Sequence, residues 1–306
     1  MSPYISALRP RQWTKNLIVF ASPLYGFSIN WESFLGSLLA FALFCSVSSS
    51  FYLTNDIIDA EADRLHPVKC KRPIAAKLIS IPVAIAMGIV LLIGALIIGW
   101  LSSISLGVTL TAYVLLQICY NLKLKHMLFL DIGVIASGFI LRAYAGAAAT
   151  KVVLSPWFLL CTAMLALFLA VEKRKAELRL LSAHGGKTRT VLKKYSLSLL
   201  NRMENVVTTC TVMSYALWSS GPKLGGASTP WMLLSLPFVL YGIFRYQLIS
   251  ELSSNSDSAM NTLRYADSSE RPDEVLLKDF PILITVISWA ISCFVILLLK
   301  NKGVIG

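Results

Sequence analysis

Charge is scarce in this sequence. Only 14% of its 306 residues are Asp, Glu, Lys or Arg, against about 25% in a soluble domain, which excludes an ordinary water-soluble enzyme. Acid is scarcer still, with 16 Asp and Glu against 28 Lys and Arg and a net charge of +12. Three His leave little material for an imidazole relay, and His66 and His184 read as solvated. The six cysteines have no metal-ligand spacing. Cys45, Cys119, Cys161, Cys210 and Cys293 lie in apolar runs and read as small packing residues. There is no fixed-period repeat and no water-soluble insert. The opening MSPYISALRPRQWTKN reaches Trp13 without an apolar core, so no cleavable signal peptide is expected.

What is present is apolar sequence, at 56% of the residues. Runs of the length needed to cross a bilayer, about 17–25 residues, cover 17–30, 33–54, 79–100, 103–121, 127–149, 154–172, 203–220, 230–249 and 280–299. Lipid offers no partner for free backbone groups, so such runs are expected as helices. The expectation is an all-α polytopic membrane protein of about nine helices, with residues 1–306 as a single domain. The first run contains Pro23 and Gly26, which predicts a tilted or broken helix. Lys and Arg are asymmetric about these runs. The N-terminus and the connections at 55–78, 122–126, 173–202 and 245–279 hold 23 of the 28. By the positive-inside rule this side is cytoplasmic. Trp13, Trp157 and Trp231, near run ends, read as interfacial belt residues.

One stretch breaks the apolar pattern: Asn55-Asp56-Ile-Ile-Asp59-Ala-Glu61-Ala-Asp63-Arg64-Leu-His66-Pro67-Val-Lys69-Cys-Lys71-Arg72-Pro73. If the second helix continues through it, Asp56, Asp59 and Asp63 fall at about 0°, 300° and 340° on the helical wheel, and Glu61 at about 140°. Three carboxylates on one face repel one another unless a cation lies among them. Hard oxygen ligands that leave room for water and phosphate suit Mg²⁺. Arg64, Lys69 and Arg72 follow, ready to bind the remaining charge of a diphosphate.

These residues resemble the first aspartate motif of the UbiA-type intramembrane prenyltransferase superfamily. The resemblance extends to Arg9-Pro-x-x-Trp13-x-Lys15-Asn16, to Tyr120-x-x-x-Leu124-Lys125 ending the fourth run, and to Asp131. It implies helices around a central cavity open to the cytoplasmic side, a Mg²⁺ cofactor, Asp56 and Asp59 as catalytic carboxylates, and Asp56, Asp59 and Asp63 as metal ligands. Lys15, Asn55, Tyr120 and Lys125 join the expected substrate-binding set with Arg64, Lys69 and Arg72. RPRQWTKNLIVFASPL, YLTNDIIDAEADRLHPVKCKRPIAA, LRAYAGAAATKVVLSPWF and EKRKAEL are similar to one branch, the decaprenyl-phosphate phosphoribosyltransferases. That branch implies transfer of 5-phosphoribose from 5-phosphoribosyl diphosphate to a polyprenyl phosphate, with release of pyrophosphate, for cell-envelope arabinan synthesis. The alternative within the superfamily is a prenyltransferase joining a prenyl diphosphate to an aromatic or tetrapyrrole acceptor. A lipid-phosphate transporter would need polar residues on both sides of a path, and the outer face is poor in charge.

Two further features bear on the branch. After the sixth run, where aromatic prenyltransferases carry a second acidic motif, stands Glu172-Lys173-Arg174-Lys175-Ala-Glu177. Lys173 and Glu177 share a helix face, and the segment reads as a mainly basic patch. That suits substrates carrying extra phosphates, at about −1.5 to −2 each, although positive-inside anchoring would also make it basic. Arg142 follows Asp131 by 11 residues, about 20° apart on the wheel and roughly 16 Å along the axis. The pair reads as a polar cavity wall, or Arg142 pairs structurally with another helix. Lys173, Arg174, Glu177 and Arg142 complete the expected substrate-binding residues. No nucleic-acid partner is expected, and a homo-oligomer is compatible with the sequence.

Overall fold

The computed structural model describes residues 2–22, 30–65, 69–184, 190–255 and 279–305. His66 and Pro67 lie outside the described residues, as do the side chain of His184 and most of the 245–279 connection. The described residues form helices, in the order α1 (Pro3–Ala7), a 3-10 helix (Pro10–Phe20), α2 (Trp31–Ile58), α3 (Ala60–Arg64), α4 (Ile81–Ser102), α5 (Ile104–Leu122), α6 (Leu130–Thr150), α7 (Pro156–His184), α8 (Leu197–Ser219), α9 (Leu236–Asn255) and α10 (Phe280–Asn301).

Seven helices among the described residues are long and apolar enough to cross a membrane. The expected count of nine is not established. The first expected run is a 3-10 helix as far as Phe20, and its remainder past Ser22 lies outside the described residues. The seventh run is the helix α8, but it carries Arg202, Glu204 and several Ser and Thr, so it is not among the seven. On α4, Ile85, Ile89, Val90, Ile93, Ile97 and Leu101 are exposed, Leu101 at 82%. Such a surface suits hydrocarbon rather than water.

The chain groups into two compact units. The first comprises residues 1–24, 28–118 and 141–152. Its core joins Val19, Ala40, Phe44, Val47, Leu106, Leu110 and Ala145. α2 starts where the Asn30 side chain accepts the Ser33 N–H at 2.7 Å, capping an otherwise orphan donor. Close backbone approach decides two positions. A Cβ on Gly146 would lie 2.1 Å from the Val19 carbonyl oxygen, and one on Gly36 would lie 2.6 Å from that of Ala149. Glycine therefore brings α6 against both the 3-10 helix and α2.

The second unit comprises residues 25–27, 119–140 and 153–306. α7 and α8 pack along each other, as do α9 and α10. One core joins Phe168, Val207, Ile243, Tyr246, Ile249 and Ile282, and another joins Ile132, Ala170, Val171, Val191, Tyr195 and Leu200. Asp279 caps α10 through the Ile282 N–H at 3.0 Å and accepts Arg245 of α9 at 3.0 Å.

Candidate active site

The acidic stretch does not continue α2 as one helix. α2 ends at Ile58, Asp59 leaves helical geometry (φ −88°, ψ 1°), and α3 starts at Ala60. Asp56 and Asp63 are buried, while Asp59, Glu61 and Arg64 are exposed. The continuous helix that the three-carboxylate stripe assumes is thus interrupted at Asp59, leaving Asp56 and Asp63 as a buried pair and Asp59 exposed at the bend. Among the described residues, no three His, Cys, Asp or Glu side chains converge as a metal cage.

A single nitrogen bridges the buried pair. Arg72 Nη1 donates to Asp56 Oδ1 at 3.1 Å and to Asp63 Oδ2 at 2.5 Å. The two carboxylates therefore converge on one cationic point, and as hard oxygen donors they fit a Mg²⁺ ion. Local packing places Arg72. Ile74 and Ile79 are buried with Ala7, Leu53, Ala60 and Ala84, so the segment after the charged turn is a packed apolar plug. Arg64 Nε donates to the Ala75 carbonyl at 3.3 Å, which makes Arg64 a strut for that plug. Lys69 is exposed in the 3-10 turn Lys69–Lys71, and Asn55 is half-buried on α2.

Arg9, which opens the N-terminal Arg-Pro-x-x-Trp-x-Lys-Asn segment, reaches the acidic pair. Its backbone is left-handed (φ 54°) at the cap of the 3-10 helix. Its guanidinium donates to Asp56 Oδ1 and lies 5.1 Å from the Tyr52 ring centroid, within cation–π range. Trp13 Nε1 donates to Ser49 Oγ at 3.1 Å, and Ser49 Oγ donates to the Leu8 carbonyl at 2.9 Å. Trp13 is thus a strut between the N-terminal segment and α2 rather than a belt residue. Lys15 Nζ donates to Gln12 Oε1, one turn beyond Arg9.

Arg142 resolves to structural pairing with other elements. Its Nε donates to Asn16 Oδ1 at 2.7 Å and its Nη2 to the Tyr113 hydroxyl at 2.6 Å. Its Cζ lies 4.8 Å from the Tyr113 ring centroid. Asn16 Nδ2 in turn donates to Cys45 Sγ at 3.3 Å. Asp131 lies on the same helix, α6, and pairs with Arg174 and Tyr195.

In the second unit, Arg174 is 1% exposed. Its Nε donates to Asp131 Oδ2 at 2.8 Å, and its Nη1 donates to Glu177. The Tyr195 hydroxyl donates to Asp131 Oδ1 at 2.7 Å and accepts the Phe129 N–H at 3.0 Å. Burial, and then the bond to Asp131, push the Tyr195 phenol above its ordinary range, so it remains a donor. Tyr120 lies within electrostatic reach of Arg174. Lys175 is enclosed by Glu172 at 3.1 Å, Glu204 and Glu251 at 3.7 Å, while Arg179 donates to Glu251 at 2.7 Å. The expected basic patch is therefore largely neutralised, because α6, α8 and α9 supply acids far away in sequence. Glu177 accepts from Arg174 at i, i+3. Lys173 is half-buried on α7, and Lys125 is half-buried in the 3-10 turn Leu124–His126.

Apolar helices of spanning length, interrupted by a carboxylate pair under guanidinium groups, define a multi-pass membrane protein with a polar site. More particularly, the chain belongs to the UbiA prenyltransferase family, whose sequence profile matches residues 18–265, across both units. It is 35% identical over 302 residues to the decaprenyl-phosphate phosphoribosyltransferase of Mycolicibacterium smegmatis, covering 94% of this chain and 90% of that protein. It is 37% identical over 300 residues to the Corynebacterium glutamicum protein of the same name, covering 95% and 85%. Among solved structures, a UbiA homologue from Archaeoglobus fulgidus bound to DMAPP and Mg²⁺ superposes with a TM-score of 0.64 at 16% identity, covering 96% of this chain and 99% of that one. A digeranylgeranylglyceryl phosphate synthase superposes at 0.65 with 18% identity, again covering 96% and 99%. These superpositions speak to fold alone.

Proposed function

We propose that this protein transfers 5-phosphoribose from 5-phosphoribosyl diphosphate to a polyprenyl phosphate and releases pyrophosphate. The observation that carries the chemistry is the convergence of Asp56 and Asp63 on one cationic nitrogen, beneath two guanidinium groups suited to a diphosphate. The near full-length relatedness to decaprenyl-phosphate phosphoribosyltransferases supports this substrate pair over a prenyl diphosphate with an aromatic acceptor. Residues 1–306 act as one domain in this reading, in keeping with a family match that runs across both units. The N-terminus and the site face the cytoplasm, on the side of the 23 cations.

Asp56 and Asp63 would hold Mg²⁺, with Asp59 contributing from the exposed side of the bend. Such an ion supplies charge stabilisation to a departing diphosphate. Arg72 and Arg9 bind diphosphate oxygens, with Lys69 and Lys15 adding charge at the rim. A polyprenyl phosphate is already an anion, so one of its oxygens attacks the anomeric carbon without a general base. The new C–O bond forms as the bond to the diphosphate breaks, and the electron pair leaves with pyrophosphate. Catalysis is then positioning and electrostatic stabilisation. Lys125 and Lys173 are phosphate ligands in this reading. Arg174, enclosed by Asp131 and Glu177, positions its helix turn, and Glu177 acts through Arg174.

Phosphorus NMR tests the proposal. With both substrates and Mg²⁺, pyrophosphate and a new phosphodiester signal should grow in equal amounts. Pyrophosphate release with no acceptor present would contradict it.

A further inference from the structure

We propose that Arg9, together with Arg72, makes entry of a divalent cation at Asp56 and Asp63 depend on the simultaneous arrival of a diphosphate. The inference rests on the reading of this pair as the metal site and adds a binding order to it.

Two carboxylates and two guanidinium groups form a neutral quartet: Arg72 bridges Asp56 and Asp63, and Arg9 donates to the same Asp56 oxygen that Arg72 contacts. The layering is unequal. The side chains of Arg9 and Arg72 are each 28% exposed, whereas those of Asp56 and Asp63 are 4% and 6% exposed. A cation approaching from water therefore meets two positive groups before it meets a carboxylate. If it entered alone, the quartet would gain two positive charges, of which the exposed Asp59 offsets at most one, in a mostly buried setting where like charges repel far more strongly than in water. A diphosphate entering with the metal removes that cost twice over. It supplies the missing negative charge, and it offers the guanidinium groups bidentate oxygen partners in exchange for the carboxylates.

Arg9 is built to make that exchange. Its left-handed backbone, held in place by the Trp13–Ser49–Leu8 bonds, fixes where the side chain starts. The Tyr52 ring, one helical turn before Asp56, gives the guanidinium a second favourable surface 5.1 Å away. Arg9 can thus leave the carboxylate without losing every partner. Coupling of this kind is reciprocal, so metal must also strengthen diphosphate binding by the same factor.

Mn²⁺ binding read by electron paramagnetic resonance tests this without turnover, using the full chain in detergent. Free Mn²⁺ is matched between samples with and without inorganic pyrophosphate. For the unaltered protein, pyrophosphate should tighten Mn²⁺ at least ~10-fold, within the usual range of coupling between sites. Arg9→Gln should tighten Mn²⁺ in the absence of pyrophosphate and shrink the pyrophosphate gain to below ~3-fold. Arg9→Lys, which keeps the charge, should restore most of the gain. Equal Mn²⁺ affinity of the unaltered protein with and without pyrophosphate overturns the inference, whatever the variants do. If Arg9→Gln keeps the unaltered coupling, the inference falls and the metal site stands. If no sample binds Mn²⁺, the metal reading falls as well.

Discussion

Asp56→Asn and Asp63→Asn each remove one of the two buried carboxylates that Arg72 bridges. Either change is expected to lower turnover at least ~10²-fold, as loss of metal-assisted charge stabilisation does. Asp59→Asn should cost less, because Asp59 is exposed beyond the helix end, and Glu61→Gln should stay near the unaltered rate. Initial rates at saturating substrate check this order, and equal losses at all four positions would show that burial does not select the ligands. The cations of α7 divide in a different way. Arg174→Gln leaves Asp131 and Glu177 without their shared guanidinium, and breaking such a buried pair costs about 3–5 kcal/mol. Its main effect should be a lower melting temperature. Lys173→Gln should instead raise a Michaelis constant about tenfold, the worth of a charge-assisted hydrogen bond of roughly 1.5–3 kcal/mol. At this scale the sequence showed which residue types matter but not their partners. Arg174 and Lys175 look like free cations in EKRKAEL. Of the acids that enclose them, Glu172 and Glu177 stand in the same segment, whereas Asp131, Glu204 and Glu251 stand 29 to 76 residues away, where no local pattern points to them.

Helices were the most legible elements, since long apolar runs in lipid have no alternative to the helix. Legibility failed where the backbone changes course. A helical wheel assumes unbroken 100° steps, and the bend at Asp59 interrupts them between Asp56 and Asp63. Just after the charged turn, Ile74 and Ile79 are buried against α2 and α4. That plug, and not the charges alone, holds Arg72 at the carboxylates. The N-terminal segment has the same character: polar residues on a short 3-10 helix that the Trp13–Ser49 bond secures. Its packing is the most sensitive to glycine. Gly146→Val would drive a side chain into the Val19 carbonyl, where a Cβ already lies 2.1 Å from the oxygen. A backbone atom cannot move aside as a flexible side chain does, so the cost should reach or exceed the ~1–3 kcal/mol usual for overpacking. Thermal melting in detergent should show it, and activity should fall in step. An unchanged melting temperature would mean that the 3-10 helix is not held against α6.

For the whole molecule, the charge asymmetry carries a topological prediction. A cysteine introduced at Lys193 should react with membrane-impermeant thiol reagents only after the membrane is opened from the cytoplasmic side. One introduced at Lys302 should react from outside intact cells. The reverse pattern would contradict the positive-inside assignment. Composition and charge distribution made the membrane class legible, and the Asn55–Pro73 stretch with the Arg9–Asn16 segment made the family legible. The site could not be assembled from sequence, because it depends on a bend, a packed plug and an N-terminal arginine that no spacing rule joins. The central claim concerns which bond is made, and one parallel assay tests it most directly. Purified protein with Mg²⁺ receives labelled 5-phosphoribosyl diphosphate and decaprenyl phosphate in one arm, and a labelled prenyl diphosphate with an aromatic acid in the other. Label should pass into an organic-extractable phosphoribosyl lipid, matched by pyrophosphate, in the first arm alone. Turnover confined to the second arm would contradict the account.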